Sequence, residues 1–202
     1  MDDLVLQSMQ RWPDVPAVHG WLSLDARGRW MIHANGRGLE SPPEPGEAIT
    51  NSSLIAFINR NYASDEQGLW FFQNGPQRVY VRIDAAPYIV RLSEDGISLQ
   101  THTGQTLQSI DEWLLDDVGN LYIRSEPGPG RIENRDLPLL LDNLRTTLPN
   151  MPSTSLPLFE ALEAGAIQGM LSCPKLPDAP WRLLTFTDIQ KQLGFTAASQ
   201  PV

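Results

Sequence analysis

The sequence predicts an α+β fold of antiparallel β hairpins and a meander, with two related hairpin-strand-helix units. Three observations point there. Asp stands three residues before Gly at Asp25/Gly28, Asp65/Gly68 and Asp116/Gly119, each time between aromatic or β-branched runs. In such a turn Asp accepts backbone hydrogen bonds and Gly takes the positive φ of a bulged hairpin. The first and third of these hairpins each lead into a helix of the same pattern. The stretch 69–103 between the helices alternates like consecutive strands.

Taken in order, Leu4, Leu6 and Met9 predict a short N-terminal helix capped by Asp2 or Asp3, and Trp12 to Pro16 a rigid loop. Trp21 to Ile32 is the first hairpin. Glu40 to Gly46 is a polar loop, and Leu54, Phe57 and Ile58 form a helical stripe capped by Ser53. The second copy runs from Trp113 through Leu121 to a helix with Leu137, Leu140, Leu141 and Leu144, capped by Asp136, with Pro138 in its first turn. Aligning Trp21–Ile58 with Trp113–Leu141 predicts an internal duplication. Trp21, Trp30, Trp70, Trp113 and Tyr122 are then core residues of two small sheets rather than a stacking platform.

In the meander, Asn74-Gly75, Ala85-Ala86 and Ser93 to Gly96 mark the turns. Taking Ala85-Ala86 as a two-residue loop puts Val79, Val81, Ile83, Tyr88, Val90, Leu92, Ile97 and Leu99 on a core face. The opposite face then carries Arg78, Tyr80, Arg82, Ile89, Arg91, Ser98, Gln100 and His102. Guanidinium forks suit carboxylates and phosphates. Arg78, Tyr80, Arg82, Arg91 and His102 are therefore the candidate ligand-binding set, for a small anionic ligand or an acidic protein partner. The bland reading is a solvated face whose arginines pair with the protein's own acids.

Beyond residue 145, Pro149, Pro152 and Pro157 open an extension. It offers a helix over Leu158 to Ala166, a strand over Trp181 to Phe186, and a helix capped by Thr187 and ended by Gly194. Phe159, Trp181, Phe186 and Phe195 are its expected anchors. The expected division is a first hairpin-helix unit at 1–62, the meander with the second unit at 63–145, and a Pro-rich extension docking on the core at 146–202.

Composition narrows the function classes. Of 202 residues, 41% are hydrophobic and 19% charged, which places the chain among globular proteins rather than disordered ones. A formal charge of −9 repels phosphates, so nucleic acid and anionic membrane are not expected partners. Met1 to Leu4 has no basic n-region, and no apolar run is long enough to span a bilayer; a soluble, cytoplasmic protein is expected. The lone Cys173 excludes an intrachain disulfide and reads as a small buried residue.

The chain lacks G-x-S-x-G, G-x-x-x-x-G-K, H-E-x-x-H and C-x-x-C, so no motif names a catalytic residue, a metal or a cofactor. His19, His33 and His102 are scattered. Two function classes remain, a non-enzymatic ligand-binding or protein-interaction module and, as the alternative, a hydrolase or other enzyme using His102 with nearby acids.

Trp12-Pro13-Asp14-Val15-Pro16, Gly20-Trp21-Leu22, Phe57 to Tyr62 and Phe72 to Val81 resemble a family of uncharacterised proteobacterial proteins known only as a domain of unknown function, over about residues 11–145. Gly28-x-Trp30 through Ile83-Asp84-Ala85-Ala86-Pro87-Tyr88 is more distantly similar to a second uncharacterised bacterial family, whose members carry an acidic pair where this chain has Asp84-Ala85. The resemblance implies a soluble bacterial protein and assigns no activity.

Overall fold

The computed structural model describes residues 1–197, which divide into two compact units. The first holds residues 1–87 together with 195–197, and the second holds Tyr88–Gly194. The sequence expectation drew its boundaries at 62/63 and 145/146. The observed units divide elsewhere because strands distant in sequence pair with one another.

The first unit contains α1 (Asp3–Arg11), β1 (Val18–Leu24), β2 (Trp30–Ile32), β3 (Glu47–Ala48), α2 (Ser52–Arg60), β4 (Tyr62–Ser64), β5 (Trp70–Asn74) and β6 (Gln77–Ile83). Its sheet has the order β3-β2-β1-β6-β5-β4. All pairs are antiparallel except β1·β6, where Leu22, Ser23 and Leu24 run parallel to Val81, Arg82 and Ile83. Leu22, Leu24, Phe72, Val81 and Ile83 are buried on one face. There α2 packs on β5, with Phe57 meeting Phe72 edge to face at 5.4 Å.

The second unit contains β7 (Tyr88–Leu92), β8 (Leu99–Thr101), β9 (Glu112–Leu115), β10 (Leu121–Arg124), β11 (Gly130–Ile132), α3 (Leu137–Asn143), β12 (Arg145–Leu148), β13 (Met151–Pro157), α4 (Leu158–Glu163), β14 (Gln168–Ser172), β15 (Ala179–Leu183) and α5 (Phe186–Leu193). Its sheet has the order β13-β12-β14-β15-β9-β10-β11-β7-β8. Trp113, Ile123, Ile132, Leu140, Leu158 and Trp181 belong to one buried cluster, and Trp181 donates Nε1–H to Thr146 Oγ1 at 2.7 Å.

The duplication extends beyond the hairpin and helix. The order β4-β5-β6-β1-β2-β3 in the first unit repeats as β12-β14-β15-β9-β10-β11 in the second. Each copy closes on a parallel pair, Leu24 with Ile83 and Leu115 with Leu183. The register matches residue for residue, so Arg82 beside Ser23 corresponds to Arg182 beside Leu114. It also makes Leu22, rather than Trp21, the counterpart of Trp113. The second copy adds β13 and α4 between β12 and β14, and β7 and β8 beyond β11. β14 and β15 are therefore interior strands of the second copy, where a docked extension was expected.

The three Asp-x-x-Gly turns share one network. The Asp side chain accepts from the backbone N–H groups two and four residues on, at Arg27 and Arg29, Gln67 and Leu69, and Val118 and Asn120. Gly28, Gly68 and Gly119 have φ of 76°, 76° and 89°, as the turn reading expects.

The expected meander splits. β5–β6 and β7–β8 are hairpins of different sheets, and Ala85-Ala86 is not a two-residue turn between paired strands. The side of β6 that a β7 hairpin would need is occupied by β1, a pairing continued by the Asp84 N–H to Leu24 carbonyl bond of 3.0 Å. Other expectations are corrected locally. Ile97, just after the Ser93 to Gly96 turn, is 40% exposed, and Ile89 is buried. α2 is capped by Asn51, whose Oδ1 accepts from the Leu54 N–H, and α5 by Thr185; Ser53 and Thr187 lie inside these helices. Phe159 is 60% exposed and anchors nothing. Trp21 stands apart from the other expected core aromatics and is exposed. Gly194 ends α5 with φ 67°, as expected. Among the described residues no helix is long and apolar enough to cross a membrane.

The turns also differ in depth. Asp116 is buried and also accepts from Asn120 Nδ2, whereas Asp25 is half-buried and takes its extra bond from the exposed Arg29 guanidinium at 2.7 Å. Asp116→Ala should therefore cost about 2 kcal/mol, and Asp25→Ala about 1 kcal/mol or less, in urea unfolding. Equal losses at the two sites would contradict this.

Candidate functional site

The expected ligand-binding set falls into two groups. Arg78, Tyr80 and Arg82 lie on β6 and share one face of the six-stranded sheet. Arg91 lies on β7 and His102 directly follows β8, both in the nine-stranded sheet. The cross-strand facing of Tyr80 with Arg91 that the meander implied does not exist, because β6 and β7 are not paired.

Each member has its own neighbours. Arg78 sits over the Phe71 ring at 4.5 Å. Tyr80 stacks on His19 at 4.5 Å and donates its hydroxyl to Asp65 at 3.0 Å. Burial pushes the Asp65 carboxyl up, but the Leu69 N–H, the Tyr80 hydroxyl and the Gln67 N–H outweigh it, so the group ionises below the usual range. Arg82 is largely buried, donates Nε–H to Asp84 at 2.8 Å and reaches the Gly38 carbonyl with its guanidinium. His102 accepts the Ile89 N–H on Nδ1 at 3.2 Å and lies beside Tyr88.

Behind Arg82 is a polar cluster that sequence spacing did not single out. Ser23 Oγ and His33 Nε2 are 2.9 Å apart and both residues are buried. The loop between β2 and β3 closes over them. A Cβ on Gly38 or Gly46 would come within 2.7 or 2.8 Å of the His33 ring, so only glycine lets the backbone pass so close. The loop backbone thus seals both side chains from solvent.

The opposite face of the same sheet is open. Val18, Trp21, Leu22, Ile32, Ile49, Leu54, Ile58, Phe72, Gln77 and Val79 line a groove of about 390 Å³ between α2 and the strands. Among the described residues Gln77 is its one polar liner. Trp21, Ile32 and Leu54 are 44%, 44% and 40% exposed. Trp21 escapes the strand alternation because the β1·β6 register shifts between Val18 and Leu22. Its indole lies on Gly36, where a Cβ would stand 2.9 Å from the ring. Sequence reasoning missed the groove because its residues form the stripes that normally close a core.

Cys173 is buried, which pushes its thiol up to about 11 and leaves it un-ionised at neutral pH. Among the described residues no group of three His, Cys, Asp or Glu side chains could hold a metal ion.

The sealed imidazole has a pH signature. Burial, and then the Arg82 charge, lower the His33 pKa from its ordinary 6.5, while Glu44 and Asp84 pull the other way. The unfolded chain therefore binds a proton that the folded chain refuses. Stability is full above about pH 6.5 and falls as pH drops from there toward the depressed folded value. Urea midpoints should drop more between pH 7.5 and 5.5 for the wild type than for His33→Gln, and parallel curves would contradict the assignment.

A search of curated proteins finds no match. Two solved structures are similar. One is a DUF1285 family protein from Silicibacter pomeroyi DSS-3, 15% identical, with a TM-score of 0.48, covering 81% of this chain and 99% of that one. The other is a DUF1285 family protein from Shewanella baltica OS155, 14% identical, with a TM-score of 0.40, covering 57% and 86%. The family model DUF2944, described as "Protein of unknown function (DUF2946)", matches residues 1–200, and the chain belongs to that family.

Proposed function

We propose that this protein is a non-enzymatic binding module that captures an apolar group in the groove between α2 and the six-stranded sheet. The observation that carries this reading is the convergence of Trp21, Ile32 and Leu54 on one concavity of about 390 Å³. Folding gains by removing such side chains from water, at about 25 cal/mol per Å², and here three remain partly wet around a single space. Apolar walls with one polar group match the usual make-up of a ligand pocket. The anionic-ligand reading of Arg78, Tyr80, Arg82, Arg91 and His102 has less support, because Arg82 is already engaged by Asp84 and by the Gly38 carbonyl. The enzyme alternative has less still, since His102 uses Nδ1 to accept a backbone N–H.

Nile red, a neutral apolar dye, tests the reading. It should bind saturably with a blue-shifted emission. Leu54→Ser should weaken it on the order of tenfold, from losing about 1–2 kcal/mol of apolar contact. Because Leu54 is already half exposed, the substitution should change stability by less than about 1 kcal/mol. Equal affinity for wild type and Leu54→Ser would place the dye elsewhere and remove the support.

A further inference from the structure

The two copies differ at one edge, and the difference indicates what the groove takes. β3 and β11 occupy equivalent places beside β2 and β10. Their registers pair Ile32 with Glu47 and Met31 with Ala48 in one copy, and Ile123 with Gly130 and Tyr122 with Arg131 in the other. Ala48 thus corresponds to Arg131, Ile49 to Ile132 and Ile32 to Ile123. Ile32 is 44% exposed and Ile49 half-buried, whereas Ile123 and Ile132 are both fully buried.

The cover in the second copy is a strand. β7 lies parallel to β11, with Tyr88, Ile89 and Val90 opposite Gly130, Arg131 and Ile132. The Tyr88 N–H donates to the Pro129 carbonyl at 3.0 Å and the Glu133 N–H to the Val90 carbonyl at 2.8 Å. Val90, on β7, packs directly against this edge: a Cβ on Gly130 would stand 3.0 Å from Val90 and 3.1 Å from Ile123. In the first copy the matching groups are the Gly46 carbonyl and the Thr50 N–H, and neither has a backbone partner among the described residues. The Ile49 N–H bonds inward to Trp30, so by alternation Ala48 presents both its backbone groups outward.

Charge narrows the occupant further. Glu47 lies in β3 itself and is exposed, and the sequence has no Lys or Arg between Arg37 and Arg60. The template strand itself places Arg91 between Val90 and Leu92.

We propose that a partner polypeptide adds an extended, basic strand parallel to β3 and lays its alternate apolar residues over Ile32 and Ile49. This rests on the groove reading and specifies its ligand as a peptide bound by strand addition. Its backbone bonds Gly46, Ala48 and Thr50, its alternate apolar side chains enter the groove, and its positive charge complements the acidic edge at Glu47.

The probe is a short capped peptide alternating valine with arginine, titrated calorimetrically against the full chain. Saturable binding is expected, together with slowed amide exchange at Thr50. Ala48→Pro removes an outward N–H and should weaken binding about tenfold or more. The same peptide N-methylated at alternate residues should lose affinity equally, and this arm holds even if the proline variant misfolds. Undiminished binding of the N-methylated peptide, or no binding of the parent peptide, overturns strand addition. Nile red binding in those same samples shows whether the groove reading survives, because the dye needs no backbone pairing.

Discussion

The parallel pair that closes each copy is the constraint on which the rest depends. Parallel neighbours cannot be joined by a tight turn, so β6 reaches β1 only after the chain has gone through β2, β3, α2, β4 and β5. That one pairing gathers residues 18–83 into a single sheet, and β9 with β15 does the same for 112–183. It also fixes the facing of β6. Val81 and Ile83 must match Leu22 and Leu24 on the buried side, which sends Arg82 toward Ser23 and the sealed loop on the other. A one-residue slip would turn every one of these side chains over.

From the same frame the two copies settle into different roles. The second is filled by its own additions: Leu158 and Ala161 of α4, and Val90 and Leu99 of β7 and β8, belong to the cluster that buries Trp113 and Trp181. Among the described residues the first has no strand beyond β3 and no helix between β4 and β5. A short turn at Asp65 to Gly68 joins β4 to β5, and β3 is only two residues long at the sheet edge. On the polar face of that sheet, the loop with Gly38 and Gly46 packs its backbone onto His33 and engages Arg82. On the other face the apolar stripe of Ile32, Ile49 and Leu54 is left open. The asymmetry between duplicated halves is the physical basis for placing a binding surface on the first.

Much of the fold was legible in the sequence. Asp25, Asp65 and Asp116 with their glycines identified the turns through local hydrogen-bonding chemistry that needs no tertiary partner. The second helix was legible from Leu137, Leu140 and Leu141 together with Asp136, which stands at the N-cap although its carboxylate accepts from the Leu92 N–H instead. Long-range pairing was not legible. Ala85-Ala86 looks like a hairpin turn because alternation continues on both sides of it, and nothing local announces that β1 already holds the edge of β6. The candidate set of Arg78, Tyr80, Arg82, Arg91 and His102 depended on that one turn and separated with it. The groove was hidden for the opposite reason. Ile32 and Leu54 carry the same signal as their counterparts, the buried Ile123 and the half-buried Leu137, and only the missing neighbours distinguish them.

Methyl-resolved NMR under xenon tests the central claim most directly, because each copy serves as the other's control. Xenon enters apolar space without needing charge or hydrogen bonds. The account predicts saturable shifts at the methyl groups of Ile32, Ile49 and Leu54, with the counterparts Ile123, Ile132 and Leu137 unmoved. Shifts of equal size in both copies, or confined to the second, would contradict it.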